Sequence, residues 1–174
     1  MDLFTTERLL LESVKLIDAR FIRELVNTAA WLRFIGDRKV NSIADAEAYV
    51  QKMIDNPAIN YWIVKSKTEE TSIGTISLIK RDYLPYHDIG FAFLPAYGKK
   101  GYAYEAAVTV LQTFLKEPAF RTIMASAAPD NINSIQLMKK LGLTFKENIE
   151  VDNKNLVLYQ ITADKNSDPI TKAG

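Results

Sequence analysis

The chain has 174 residues, of which 48% are hydrophobic and 25% are charged, and its formal net charge is +1. This length suits one α/β domain with a full hydrophobic core, and a charge so close to zero provides no overall field to attract nucleic acid or a membrane surface. The chain has no cysteine and only one histidine, which excludes disulfides, a cysteine nucleophile and metal sites built from cysteines or several histidines.

Hydrophobic periodicity and turn residues predict the elements of the N-terminal half. Ser42 is a favourable helix N-cap, and Asp45 three residues later supplies an acidic first turn, so a helix should follow. In chain order we predict a strand over 8–14, a helix over 17–28, a short helix and loop over 27–38, a helix over 44–54 and a strand over 61–65.

The C-terminal half alternates strands with two helices. The segment 88–94 is almost entirely apolar, which indicates a central strand covered on both faces. Gly142 is the predicted residue after the end of the last helix, where a left-handed conformation is common. In chain order we predict strands over 72–80 and 88–94, a helix over 103–116, a strand over 123–127, a helix from 131, and a hairpin of 143–151 with 155–161.

This order of elements is not a Rossmann alternation, and it indicates an α/β protein of the α+β kind, with a mixed sheet that is antiparallel in its N-terminal part. No repeat or linker divides the chain, so we expect one domain over residues 1–163 and a mobile tail over 164–174. No apolar run approaches the ~20 residues of a membrane span, and residues 1–4 show no signal-peptide pattern. We therefore expect a cytoplasmic protein that binds neither membranes nor nucleic acid.

The segment 98–103, with the sequence GKKGYA, links a predicted strand to a predicted helix. A turn of this kind points unpaired N–H groups of the helix N-terminus outward, and the helix dipole favours an anion there. Lys99 and Lys100 add positive charge, and Gly101 allows close approach of a ligand such as a phosphate. The alternative is an ordinary loop with two solvated lysines, because the segment matches neither the Walker pattern nor GxGxxG.

Three motifs, in the right order, give the chain a resemblance to a known family. They are TERLLL at 6–11, GYAYEA at 101–106, and NINS at 131–134 followed by KLGL at 140–143. Together they resemble the GNAT N-acetyltransferases, in particular the branch that contains the ribosomal-protein N-terminal (Rim-type) enzymes. The family's phosphate loop begins with Gln or Arg, whereas this chain has Gly98, which removes one side chain but no backbone donor. The resemblance implies the GNAT fold, a mixed, mostly antiparallel sheet of about seven strands with helices on both faces.

The resemblance also implies acetyl-CoA as the cosubstrate, no metal, and direct transfer of the acetyl group to a primary amine. The acceptor would be a protein N-terminal amine or a small molecule. Asn131 and Ser134 would line the cofactor, although both could instead cap the helix that starts there. The implied cofactor residues are Phe93, Leu94, Gly98, Lys99, Lys100, Gly101, Tyr102, Ala103, Asn131 and Ser134.

Acyl transfer to an amine needs a stabilised oxyanion, a base and a leaving thiolate. The resemblance places the oxyanion-stabilising backbone N–H at Phe93. It places Met138 where many relatives have a proton-donating tyrosine, so Ser134 is the candidate donor to the thiolate. Asp88 and His87 compete for the role of base, and because adjacent strand residues face opposite sides, at most one should point at the acetyl group. Ordinary strand-end polarity, with a water relay for the proton, is the alternative to both.

The acceptor amine is expected where Trp31, Phe34 and Arg38 face the strands of residues 60–93, although an aromatic cluster there could equally be core. A non-catalytic CoA-binding sensor or interaction domain is the alternative function, because the tyrosine is absent and two residues compete for the role of base. A nucleotide-phosphate binder is disfavoured, since no Mg²⁺-ligand pattern accompanies the loop. The sequence leaves the oligomeric state open, with a homodimer as one possibility.

Overall fold

The structure is a computed structural model that describes residues 3–163, and the predicted mobile tail at 164–174 lies outside the described residues. The strands are β1 (Leu3–Thr5), β2 (Leu9–Ser13), β3 (Ile59–Ser66), β4 (Thr71–Lys80), β5 (His87–Phe93), β6 (Thr122–Ala127), β7 (Thr144–Val151) and β8 (Lys154–Thr162). The helices are α1 (Ala19–Val26), α2 (Ala29–Phe34), α3 (Ile43–Asp55), α4 (Tyr102–Phe114) and α5 (Ile132–Lys140). No helix in the described range is long and apolar enough to cross a membrane.

The strands form one sheet in the order β1-β2-β3-β4-β5-β6-β8-β7. All neighbours are antiparallel except β5 and β6, which are parallel and pair only at His87↔Ile123 and Asp88↔Met124. The prediction of a mixed, mostly antiparallel sheet is confirmed. The described part of the chain has eight strands, whereas the sequence predicts about seven. The additional strand is β1, whose three residues are too few to show an alternating pattern in the sequence.

Helices cover both faces of the sheet, as predicted. Side chains alternate along each strand, so Trp62 and Val64 of β3 pack in the core beneath α4, whereas Ile63 packs against α1 and α3. A third, smaller cluster of Leu84, Met124 and Leu158 lies where β6 and β8 continue the α1–α3 side of the sheet. On the α1–α3 side of the sheet, the surface of β4 and β5 therefore lies between two apolar clusters, the one beneath α1 and α3 and the smaller one on β6 and β8.

Local capping residues set the helix boundaries. The Ser42 hydroxyl accepts from the Asp45 backbone N–H at 3.1 Å, and the Asp45 carboxylate accepts from the Ser42 N–H at 2.7 Å, which is the capping box that the sequence predicts for α3. Gly142 follows α5 with φ +88°, as predicted for a left-handed residue at this place. A 3-10 turn at Leu16–Asp18 precedes α1, so the predicted helix over 17–28 is shorter than expected at both ends.

Candidate active site

The loop between β5 and α4 has the geometry of an anion site. Gly101 is the N-cap of α4 with φ +82°, a left-handed conformation, and no side chain caps the first turn of this helix. A Cβ built at Gly101 would lie 3.3 Å from Arg8 Nη2, which is tight. The first N–H groups of α4 are therefore not capped by a side chain. Because residue 101 is glycine, no side chain at the N-cap blocks a ligand from reaching them. The predicted cofactor residues Gly98, Lys99, Lys100, Gly101, Tyr102 and Ala103 form this loop and the start of the helix.

Arg8 holds the loop against the N-terminal strands. Its Nε donates to Glu105 at 2.7 Å, and its Nη1 donates to the Lys100 carbonyl at 3.1 Å. The Glu105 carboxylate also accepts from Thr6 Oγ1 at 2.6 Å and from the Arg8 backbone N–H at 3.0 Å. Burial raises the pKa of Glu105, but these hydrogen bonds outweigh it, so the pKa lies below its usual value. Thr6, Arg8 and Glu105 stand in two of the motifs that carry the resemblance, yet sequence reasoning gave them no role.

The strands β5 and β6 separate beside this loop. The Leu94 N–H donates to the Ile73 carbonyl on β4 at 2.9 Å. Since backbone groups alternate in direction along a strand, Phe91 and Phe93 present their N–H and C=O groups to the opposite edge, towards β6. The pairing with β6 is confined to the first two residues of β5, so these groups of Phe91 and Phe93 face the opening between the strands.

Phe93 combines this backbone position with a side chain packed in the core. Its ring lies across Gly74 on β4, where an added Cβ would come within 2.3 Å of a ring carbon. Only glycine leaves room for the ring at that position, and the ring contributes to the core beneath α4. A side chain in the core is compatible with the predicted role of Phe93, because that role belongs to the backbone N–H. Phe91, which sequence reasoning did not select, has the same backbone orientation.

Asn131 and Ser134 lie at the N-terminus of α5. The Asn131 Oδ1 accepts from the Ser134 backbone N–H at 3.3 Å, so Asn131 is the N-cap of this helix. Ser134 is in the first turn and partly buried, and its hydroxyl is not the cap. Met138, one turn further on, is 1% exposed and belongs to the core. The capping alternative therefore applies to Asn131 and not to Ser134.

Because Asn131 and not Ser134 caps α5, capping and proton donation can be tested with separate variants. If the Ser134 hydroxyl donates to the leaving thiolate, Ser134→Ala should lower turnover roughly ten- to a hundredfold, or about 1.4–2.7 kcal/mol, with little change in acetyl-CoA affinity or melting temperature. Asn131→Ala is the matched control, because loss of the cap should cost about 1 kcal/mol of stability. Turnover at the wild-type level in Ser134→Ala would rule out a proton or hydrogen bond from this hydroxyl.

His87 and Asp88 face opposite sides of the sheet, as the alternation predicts. His87 packs against Phe120, with ring centroids 4.5 Å apart, and burial together with the nearby Lys80 lowers the pKa of His87. Asp88 is 4% exposed and its Oδ2 accepts from Arg81 Nε at 3.1 Å. Burial raises the pKa of Asp88 to about 6, in spite of the opposing effect of Arg81.

Ser126 on β6 also faces Asp88, and its backbone and side-chain groups act to lower the Asp88 pKa. The Asp88 Oδ1 is buried and accepts no hydrogen bond of normal geometry from residues 3–163. Asp88 and Phe93 are five residues apart, so at a strand rise of about 3.4 Å per residue they are separated by roughly 17 Å along β5. Phe91 lies nearer, at roughly 10 Å by the same measure. A proton would have to reach Asp88 from an amine near these N–H groups through water.

A polar cluster lies on the α1–α3 side of β4 and β5, between the two apolar clusters. Thr75, Ser77 and Asp88 are 2%, 7% and 4% exposed, and they alternate with residues of the core beneath α4. The Tyr61 hydroxyl donates to Thr75 Oγ1 at 3.2 Å. Burial raises the pKa of Tyr61, so the phenol is protonated at neutral pH. We use the name polar cluster for Arg38, Tyr49, Tyr61, Thr75, Ser77, Arg81 and Asp88.

The three predicted acceptor-site residues have different surroundings. Arg38 is exposed and lies beside Tyr49, where it acts against the raising of the Tyr49 pKa by burial. Trp31 is 6% exposed and packs in the cluster beneath α1 and α3. Phe34 is partly buried, with the Arg33 guanidinium 4.8 Å from its ring centroid. Of these three residues, only Arg38 is an exposed group that belongs to the polar cluster. Trp31 is mainly part of the hydrophobic core.

The chain is similar in sequence and in fold to known acetyltransferases. The sequence profile of the acetyltransferase (GNAT) domain matches residues 8–144. YnaD, an uncharacterized N-acetyltransferase of Bacillus subtilis strain 168, is 32% identical over 139 residues, which cover 80% of this chain and 81% of that protein. A GNAT-family acetyltransferase from Bacillus anthracis has a TM-score of 0.77 at 26% identity, covering 92% of this chain and 98% of that one. Ribosomal-protein-S5-alanine acetyltransferase from Vibrio fischeri shares the fold, with a TM-score of 0.79 at 18% identity over 95% of this chain and 98% of that one.

Proposed function

The chain belongs to the GNAT family of acetyltransferases, and we propose that it transfers an acetyl group from acetyl-CoA directly to a primary amine. N-acetyltransferase activity and the use of acetyl-CoA come with the family. The observation that supports direct transfer in this chain is the opening between β5 and β6, which the Phe91 and Phe93 N–H groups face and which adjoins the uncapped start of α4. An acyl donor in the opening could be reached by an acceptor amine that approaches past the polar cluster on the α1–α3 side.

The residues that would hold acetyl-CoA form two groups. The first N–H groups of α4 and the loop 98–101 would bind the pyrophosphate, and Lys99 and Lys100 would add positive charge. The β5 edge at Phe91 and Phe93 would pair with the pantetheine arm in the manner of an added strand. Bound in this way, acetyl-CoA supplies an acetyl group already activated as a thioester.

The acceptor amine needs a base, and we assign this role to Asp88. An alkyl amine with a pKa near ~10 is neutral in roughly one molecule in a few thousand at pH 7, so removal of its proton is a real barrier. Asp88 belongs to the polar cluster, and its raised pKa lies close to the working pH, as a general base requires. His87 faces the other side of the sheet, against Phe120, and is not part of that cluster. The proton reaches Asp88 through water, because of the distance along β5.

The Phe93 N–H, with Phe91 as its neighbour in the same orientation, is the proposed donor to the oxygen that becomes negative. Ser134, on the first turn of α5, is the proposed donor to the leaving thiolate. A thiol has a pKa near ~8.5, so this second donation speeds the reaction without being essential to it. The buried Met138 offers no proton, which is why the hydroxyl of Ser134 is the candidate.

The test is release of free CoA from acetyl-CoA, followed with a thiol reagent across a panel of small amines and of peptides with free N-termini. We expect release only when an amine is present. The absence of a tyrosine at Met138, together with a base that has yet to be tested, favours a non-catalytic CoA-binding domain. Such a domain would bind acetyl-CoA in a titration but release no thiol with any amine.

A further inference from the structure

We propose that the acceptor of this enzyme is a small primary amine that also carries a carboxylate, and that Arg38 in the polar cluster binds this carboxylate. The inference rests on the proposed function, because it names the class of amine that reaches the acetyl group. Its basis is the uneven distribution of charge and of hydrogen-bond donors along the polar cluster.

At one end of the polar cluster, Arg38 has no carboxylate partner within 4.0 Å among residues 3–163. The neighbouring Asp37 carboxylate is taken by Lys39, whose Nζ lies 2.6 Å away. The groups on which the Arg38 charge acts are the hydroxyls of Tyr49 and Tyr61. The exposed guanidinium carries several N–H donors in one plane, which suit a carboxylate, and the protonated Tyr49 hydroxyl lies beside it.

The Trp31 indole adds a buried hydrogen-bond donor to the donors at this end of the polar cluster. The Trp31 indole Nε1 is buried and makes no hydrogen bond to residues 3–163, although its side chain is 6% exposed. Trp31 packs in the same apolar cluster as Tyr49 and Tyr61. A buried N–H without an acceptor is costly, so a ligand that brings an acceptor atom to this N–H would be favoured.

At the other end, the polar cluster holds a carboxylate, Asp88, whose Oδ2 accepts from Arg81. The Asp88 Oδ1 is buried beside Ser126 and accepts no hydrogen bond of normal geometry from the described residues. Asp152 acts together with Asp88 on the Tyr83 hydroxyl, so a second carboxylate lies on this side. Arg81 pairs with Asp88, and its charge also acts on the Tyr49 hydroxyl, so we place Arg81 between the two ends.

The polar cluster therefore runs from cationic donors at Arg38 to carboxylate acceptors at Asp88. A molecule with a carboxylate and an amine matches this order, with its amine towards Asp88. A polyamine does not, because its second ammonium group would meet Arg38, and like charges in one site are unfavourable. A chain of methylenes between the two groups would span the intervening Tyr61 and Thr75.

The experiment compares ω-amino acids with their carboxamides, from glycine and glycinamide to 6-aminohexanoate and its amide, at equal concentrations of the neutral amine. The readout is CoA release. At the best chain length we expect kcat/KM for the carboxylate to exceed that for the carboxamide at least tenfold, as for a charge-assisted hydrogen bond. Arg38→Gln should abolish this preference through KM, Arg38→Lys should keep part of it, and Arg20→Gln on the exposed side of α1 should leave it unchanged.

Three results would overturn the inference while leaving amine acetylation in place. They are equal rates for carboxylates and carboxamides at every length, a preference that survives Arg38→Gln, and a higher kcat/KM for spermidine or an N-terminal peptide than for every amino acid tested. Failure of the proposed function gives a different result, namely no amine-dependent CoA release with any member of the series, and it would overturn the inference with it.

Discussion

Gly101→Asp should weaken acetyl-CoA binding at least a hundredfold, which is about 2.7 kcal/mol. The new carboxylate would lie at the N-terminus of α4, where it can accept hydrogen bonds from the N–H groups that are proposed to bind the pyrophosphate. Its negative charge would also repel the pyrophosphate. Isothermal titration of acetyl-CoA measures the loss. The fold should survive, because Asp tolerates a left-handed conformation better than most residues.

Gly101→Asn is the matched control for this variant. It has the same shape, the same φ of +82° and the same tight approach to Arg8 Nη2, but no charge. We expect its affinity to stay well above that of Gly101→Asp. Equal losses of acetyl-CoA affinity in the two variants would mean that backbone strain, and not the negative charge of the Asp side chain, explains the effect. An unchanged affinity in Gly101→Asp would show that the loop does not bind the pyrophosphate.

Asp88→Asn should lower turnover on an amine at least a hundredfold at pH 7, within the range typical of a lost general base. The base acts when it is ionised, so wild-type turnover should fall as the pH drops through about 6, and the variant should lack this step. The defect should shrink at high pH, where the amine is already neutral. Acetyl-CoA affinity should change little. The measurement is the pH–rate profile of both proteins at saturating acetyl-CoA.

His87→Gln is the control, since His87 packs on Phe120 on the other side of the sheet. Its turnover should stay close to that of the wild type. A loss confined to His87→Gln would move the role of base to that residue. Wild-type profiles in both variants would mean that water or another group takes the proton.

The pH dependence of stability gives Asp88 a second, independent readout. Its pKa is about 6 in the folded protein against an ordinary value of 3.8, so the folded state favours the protonated form. Stability from this group is therefore present below about pH 4 and is lost as the pH rises to about 6, a change of about 3 kcal/mol. Urea unfolding at pH 4 and pH 7 should show this loss in the wild type relative to Asp88→Asn, and an identical pH dependence would contradict the burial of an ionisable group here.

Features written in a few adjacent residues could be predicted from the sequence. The capping box of Ser42 and Asp45 needs only four residues, and the glycine at 142 needs only the end of one helix. The loop at Gly101 is of the same kind, because strand, glycine turn and helix follow one another directly. The central strand β5 was predicted within a residue of its bounds, since a continuous apolar run is a local signal.

Features that depend on distant partners could not be predicted in this way. Arg8 and Glu105 are 97 positions apart, and nothing local to either motif shows that they meet. The polar cluster joins residues from α3, from β3, β4 and β5, from the loop after α2 and from the loop after β4, so its charge order appears only when the strands are in register. For the same reason Trp31 and Arg38, predicted to share one site, differ in exposure: the indole fills core space, whereas the guanidinium remains at the surface.

Direct transfer to an amine is tested most closely by a product balance under single-turnover conditions. Enzyme in excess over acetyl-CoA is incubated without and then with an amine of the ω-amino acid series. Free CoA, acetylated amine and the intact mass of the protein are measured together. We expect no CoA release and no change in protein mass before the amine is added, and afterwards one acetylated amine for each CoA released. An acetylated protein formed before the amine is added, or CoA release without an acetylated amine, would contradict direct transfer.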